Sequence, residues 1–132
     1  MIYVVIDTNV IVSALKTNNP DAPTLGVLRA AFEGNITLLY NAEIFDEYDE
    51  VLHREKFGFA EDRIQIILTY IREYGILTSK TPSELDFPDE DDRVFYEVSL
   101  SQEDSYVVTG NLKHYPIQPR IVTPAQMMEL LA

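Results

Sequence analysis

Acidic side chains gather at three places along this chain, in patterns that suit divalent-cation chemistry. Asp7 closes the apolar run IYVVI and is followed by Thr8 and Asn9. The segment AEIFDEYDEVL supplies Glu43, Asp46, Glu47, Asp49 and Glu50, and DEDDRVF places Asp89, Glu90, Asp91 and Asp92 side by side. There is no cysteine, and His53 and His114 are the only histidines, so a thiolate or histidine-built zinc centre is not expected and oxygen is the expected ligand atom. Carboxylates brought together from separate segments are what Mg²⁺ or Mn²⁺ requires, with positions left open for water and phosphate oxygens. One such cation, or a pair about 4 Å apart, activates water and neutralises charge at phosphorus. The plain alternative is an acid-rich solvated face with one helix-capping cluster.

Alternating strands and helices must do the positioning. Ile2–Ile6 reads as a strand buried on both faces, which leaves Asp7 at its C-terminal end. Thr8 and Asn9 are N-cap types, and Val10, Ile11, Ala14 and Leu15 give a helical face. Residues 18–23 form a loop, Thr24 caps a helix to about Glu33, Gly34 stops it, and Ile36–Tyr40 is a second strand. Asn41 caps the helix AEIFDEYDEVLHREKF, whose apolar stripe centres between Ile44 and Tyr48. Glu47 and Asp49 fall on the two borders of that stripe, and periodicity leaves both open as the inward-facing acid. Further elements follow as a helix over Glu61–Tyr74 stopped by Gly75, a strand Ile76–Thr78, and a link Thr81–Pro88. The acidic run opens the next helix, where one or two acids satisfy capping and dipole and four repel one another. Ser105–Thr109 and Ile121–Val122 complete the strands, and Thr123-Pro124-Ala125-Gln126 carries a capping box for a C-terminal helix.

This alternation implies a three-layer α/β/α domain with a mainly parallel five-stranded sheet. Asp7, Asn41 and Asn111 all follow strand C-termini and so line one edge, where open α/β sheets bind ligands. The length of 132 residues suits one domain over residues 1–132, and 46% hydrophobic with 24% charged residues excludes a largely disordered chain. Met1 leads straight into the first strand without a basic leader, and no apolar run approaches about 18 residues, so the expectation is a cytoplasmic protein without a membrane segment. A net charge of −12, from 22 acids against 10 Lys and Arg, stands against a broad basic face for nucleic acid. Bound cations or a basic partner offset that objection locally.

The blocks IDTNVIVSAL, EYDEVLHREKF, DEDDRVF, YVVTGNLKHYP and the closing IVTP, in this order, resemble the PIN-domain ribonucleases, and more narrowly the PIN-family toxins of bacterial toxin–antitoxin systems. The resemblance spans essentially the whole chain. It implies strand order 3-2-1-4-5, a Mg²⁺- or Mn²⁺-dependent ribonuclease acting on single-stranded RNA, a separate antitoxin partner and a homodimer. Position by position, Asp7 matches the first metal-binding aspartate, Glu47 the second acid and Asp92 the aspartate of the D-x-x-D block, with Asp89 its companion. By the same resemblance Thr8 and Asn9 steady the first carboxylate, and Thr109 precedes the last acidic position. That position holds Asn111 where many PIN domains have aspartate, which removes a charge from any second metal site and keeps a catalytically inactive RNA- or protein-binding module as the alternative function.

Lys113, His114 and Arg93 are candidates for phosphate contact, with His114 also a candidate acid or base. Lys16 and Arg120 fit solvated surface charges better. Tyr3, Phe45, Tyr48, Tyr70, Tyr74 and Phe95 fall on apolar faces and are expected in the core. Two other phosphate-handling α/β classes fit poorly. A receiver domain needs an acid where Asn41 stands, and a haloacid-type phosphatase needs a second aspartate where Asn9 stands.

Overall fold

The computed structural model describes residues 1–132. Its strands are β1 (Ile2–Ile6), β2 (Ile36–Tyr40), β3 (Ile76–Leu77), β4 (Ser105–Val108) and β5 (Ile121–Val122), in the order β3-β2-β1-β4-β5. All four pairings are parallel, so the sheet is wholly rather than mainly parallel. The helices are α1 (Thr8–Lys16), α2 (Pro23–Phe32), α3 (Ala42–Leu52), α4 (Glu61–Tyr74), α5 (Arg93–Ser99) and α6 (Pro124–Leu131). Right-handed crossovers carry the chain one way from β1 to β3 and back across the sheet to β4, so helices cover both faces. Val4, Val5, Ile6, Val107 and Val108, on the two central strands, are almost wholly buried, as expected for strands covered on both sides. No helix is long and apolar enough to cross a membrane.

Adjacent placement of β1 and β4 aligns Ile6 with Val108, and the Asp7 N–H donates to the Val108 carbonyl at 2.9 Å. The ladder thus runs one residue past β1. It seats Asp7 beside Thr109, at the point where connections leave the sheet in opposite directions.

Several boundaries differ from the sequence expectation, each for a local reason. Asp7, rather than Thr8 or Asn9, is the N-cap of α1, its carboxylate accepting from the Asn9 N–H at 3.1 Å. Helix α2 begins at Pro23 after Ala22, which offers no side-chain cap; Pro at the first position needs no partner for its nitrogen, so Thr24 lies inside the helix. Helix α3 stops at Leu52 instead of running to Phe57. The His53 ring lies 2.7 Å from both the Asp49 carbonyl and the Glu61 carboxylate, and successive turns carry the chain to Gly58 at φ +62°. Gly34, at φ +80°, ends α2 by the left-handed conformation that favours glycine. Gly75 ends α4 for a different reason: a Cβ there would stand 2.5 Å from the Ile71 carbonyl. Tyr74 is 65% exposed and is not a core residue. The capping box of α6 closes with both hydrogen bonds, 3.1 Å to the Thr123 hydroxyl and 2.8 Å to the Gln126 side chain.

The acidic run also folds differently. Glu90–Asp92 form a single 3₁₀ turn capped by the Asp89 carboxylate, and α5 begins only at Arg93. The tighter turn spreads the four acids, leaving Asp91 exposed and Asp92 mostly buried.

Candidate metal centre

Asp7 is 3% exposed, and both its oxygens are occupied by the fold. Oδ1 accepts from the Asn9 N–H, and Oδ2 accepts from the Thr109 hydroxyl at 2.9 Å and the Tyr115 phenol at 3.0 Å. Donors to a carboxylate stabilise its charged form and fix its rotamer, which offsets the cost of burying it. The Asn9 side chain itself is exposed, so its contribution is the backbone N–H that any residue there would supply.

Helix α3 delivers Glu47 to the same edge. Its neighbour Tyr48 is buried in the core, where the phenol donates to the Ile6 carbonyl, tying α3 to the end of β1. Glu47 accepts a hydrogen bond from the buried Thr8 hydroxyl, so Thr8 steadies the second acid rather than the first. Burial raises the Glu47 pKa above its ordinary value, opposed by the Thr8 hydrogen bond and assisted by the charges of Asp7 and Asp91. Asp49, the other border residue of the helical stripe, is exposed and turned toward His53 at 3.0 Å.

Asp92 completes the edge from the opposite side. Its Oδ2 is buried and has no hydrogen-bond partner; His114 Nδ1 lies 3.3 Å away but outside hydrogen-bonding geometry. Burial, with the charges of Asp7 and Asp89 next in weight, pushes Asp92 up to about 7, and His114 acts weakly against this. The charge of Asp7 therefore adds to the cost of ionising both Glu47 and Asp92, and that of Glu47 to the cost of ionising Asp92.

The donor atoms that lie within 4.8 Å of one another are those of Asp89, Asp92 and His114. Asp7 and Glu47 are turned to their hydrogen-bond donors. A buried carboxylate oxygen without a partner, among uncompensated acids, fits a divalent cation: hard oxygen donors are present, and the missing counter-charge is what the cation brings.

A family model for the PIN domain matches residues 3–113. The chain belongs to the PIN-domain family. No curated protein matches it. The PIN sheet order and this nuclease-type fold place the acidic cleft at the C-terminal edge of the strands, beside the β1–β4 junction.

In this PIN domain Asn111 does not point a charge into the cleft. Its backbone N–H donates to the Thr109 hydroxyl at 3.1 Å, and its side-chain amide lies 3.0 Å from His114 Nε2. Lys113 is exposed beside them. Arg93 is held by the fold, with its guanidinium on Glu90 at 2.8 Å, on the Ser83 carbonyl at 2.7 Å, and over the Phe87 ring. Arg120 is not a solvated surface charge: it donates to the Ser99 carbonyl and the Ser105 hydroxyl at 3.2 and 2.9 Å, at the other end of β4.

Two polar roles escaped the sequence. Tyr115 is 4% exposed, and burial beside Asp7 and Asp92 pushes its phenol well above its ordinary range, keeping it a donor to Asp7. Its only sequence signal is its place four residues past Asn111, which no periodicity marks. Glu97, buried on α5, accepts from the Ser83 N–H at 2.7 Å and straps the 78–88 segment against the helix that follows Asp92. Read on its helix alone, it resembles any other acid.

Proposed function

We propose that this PIN domain is a Mg²⁺- or Mn²⁺-dependent endoribonuclease that cleaves single-stranded RNA and acts as the toxin of a toxin–antitoxin pair. The observation that carries the proposal is the buried, unpartnered Oδ2 of Asp92 in a cleft already charged by Asp7, Glu47 and Asp89. In this proposal Asp7, Glu47 and Asp92 hold the cation and Asp89 stands beside them. When bound, the cation supplies an activated water and offsets negative charge at the scissile phosphate.

The chain's own residues prepare the cleft. Thr109, Tyr115 and the Asn9 N–H hold Asp7 in one orientation, and Thr8 does the same for Glu47. Lys113, exposed next to the cleft, offers a phosphate contact in an otherwise acidic protein. Attack of water at phosphorus with departure of the 3′ oxygen breaks one P–O bond and leaves 5′-phosphate and 3′-hydroxyl ends. The same proposal includes a cytoplasmic, single-domain protein over residues 1–132, working as a homodimer and restrained by an antitoxin.

The test is cleavage of a labelled single-stranded RNA by wild type and Asp7→Asn, with Mg²⁺ or Mn²⁺ and with EDTA. Cleavage confined to the metal-loaded wild type supports the proposal, and cleavage that survives both EDTA and Asp7→Asn overturns it. Growth arrest on induced expression in a bacterial host, relieved by a neighbouring gene, supports the toxin role. Harmless expression of a cleavage-competent chain removes that role alone. One feature favours a second reading, a non-catalytic RNA- or protein-binding module: Asn111 adds no charge where another acid would help a second cation. Its signature is RNA bound at saturating Mn²⁺ without turnover.

A further inference from the structure

The tightest convergence of donor atoms in the cleft includes a nitrogen. His114 Nδ1 is 3.3 Å from Asp92 Oδ2 and 3.8 Å from Asp89 Oδ2, and the three donors all lie within 4.8 Å of one another. Around a six-coordinate ion with bonds of about 2.1 Å, neighbouring ligand atoms stand about 3.0 Å apart and opposite ones about 4.2 Å. The trio is spaced close to that range. It is not spaced as hydrogen-bonded pairs, since Asp92 Oδ2 has no hydrogen bond even with an imidazole beside it.

The backbone holds His114 in this place. The 3₁₀ turn Leu112–His114 is closed by the His114 N–H on the Asn111 carbonyl and by the Tyr115 N–H on the Leu112 carbonyl, each at 3.1 Å. The next side chain, Tyr115, is anchored on Asp7. These contacts fix the backbone from which the half-exposed ring reaches the acids. The Asn111 side-chain amide nitrogen lies against the ring, 3.0 Å from Nε2 and 3.3 Å from Nδ1. With its proton on Nε2, the ring presents the Nδ1 lone pair to Asp89 and Asp92, as a metal-ligating histidine requires.

We propose that His114 is a direct nitrogen ligand of the cation through Nδ1, beside Asp89 and Asp92, and that the site consequently prefers Mn²⁺ to Mg²⁺. This rests on the cleft being a divalent-cation site, and it replaces the oxygen-only ligand set expected from the scarcity of histidine. Mg²⁺ takes oxygen ligands and holds its water, whereas an imidazole donor favours a transition ion. The asparagine at the last acidic position gives up a charge and lays its amide against the ring.

Mn²⁺ itself is the probe. Calorimetry measures Mn²⁺ and Mg²⁺ binding to wild type, His114→Ala and His114→Gln, and electron spin-echo spectra of the Mn²⁺ complexes report a directly bound nitrogen. The expected result is one Mn²⁺ with nitrogen modulation in wild type, lost in both variants. Mn²⁺ affinity should fall at least about 10-fold while Mg²⁺ affinity changes far less. Wild-type Mn²⁺ binding without nitrogen modulation overturns the His114 ligand and leaves the acidic cation site standing. No Mn²⁺ binding by wild type overturns both. Absence of nitrogen modulation in the wild-type complex decides against the ligand even if a variant folds poorly, and modulation retained in a folded His114 variant does the same.

Discussion

The two sides of the cleft are built on opposite principles. Around Asp7 every carboxylate oxygen is satisfied by a donor from the first turn of α1 or from the segment after β4. Around Asp92 a buried oxygen is left without a partner, and three neighbouring acids push against its charge. The first arrangement is complete without a ligand and holds its geometry. The second is electrostatically incomplete, and its deficit is one of positive charge. A PIN domain built this way keeps one half of its cleft rigid and stores its demand for a cation in the other.

The largest expected consequence lies on the unsatisfied side. A proton on Asp92 competes with the cation up to about pH 7, so Mn²⁺ affinity should rise about tenfold per pH unit from pH 5 and level off above pH 7. Calorimetry at pH 5, 6, 7 and 8 checks this, and a flat profile removes Asp92 from the ligand set. On the satisfied side, Asp7→Asn exchanges a charged acceptor for a neutral amide facing two hydroxyl donors. It should cost about 2 kcal/mol of stability, or roughly 8 °C in Tm at about 4 °C per kcal/mol for a chain of this size.

Asp92→Asn should act in the reverse direction without metal. The folded-state pKa of Asp92 lies above its unfolded value, so its contribution to stability is intact below about pH 4 and is lost as pH rises through about 7. In EDTA the variant should therefore melt above wild type at pH 8 and together with it at pH 4. The gain should be no more than about 1 kcal/mol, because solvent reaches the side chain and screens its neighbours. Equal melting at both values would erase the contrast between the two sides. The smallest effect belongs to Asp49→Asn, on the outer border of α3, which should change stability by less than about 0.5 kcal/mol and leave Mn²⁺ affinity unchanged.

Much of the architecture was readable from local pattern. The apolar run before Asp7, the stripe from Ile44 to Leu52 and the capping box at Thr123 each state their element within a few residues, and the structure carries all three. Boundaries failed where tertiary contacts end a helix, as His53 does by reaching Glu61, or where a 3₁₀ turn takes residues that satisfy helix-start rules equally well. Within the cleft, the wheel left Glu47 and Asp49 tied. What separates them is that Thr8, 39 residues earlier, meets only Glu47.

By itself the sequence determined which elements form and that acids close the strand ends, because propensity, capping and hydrophobic period act over a few residues. Only the tertiary structure decided which atoms are satisfied. Tyr115 reaches Asp7 across 108 positions, and the half-exposed His114 ring stands against Asp89 and Asp92. Hydrogen bonds and charge repulsion depend on distances of a few ångströms between residues remote in the chain, and those distances exist only once the parallel sheet has set β1 beside β4.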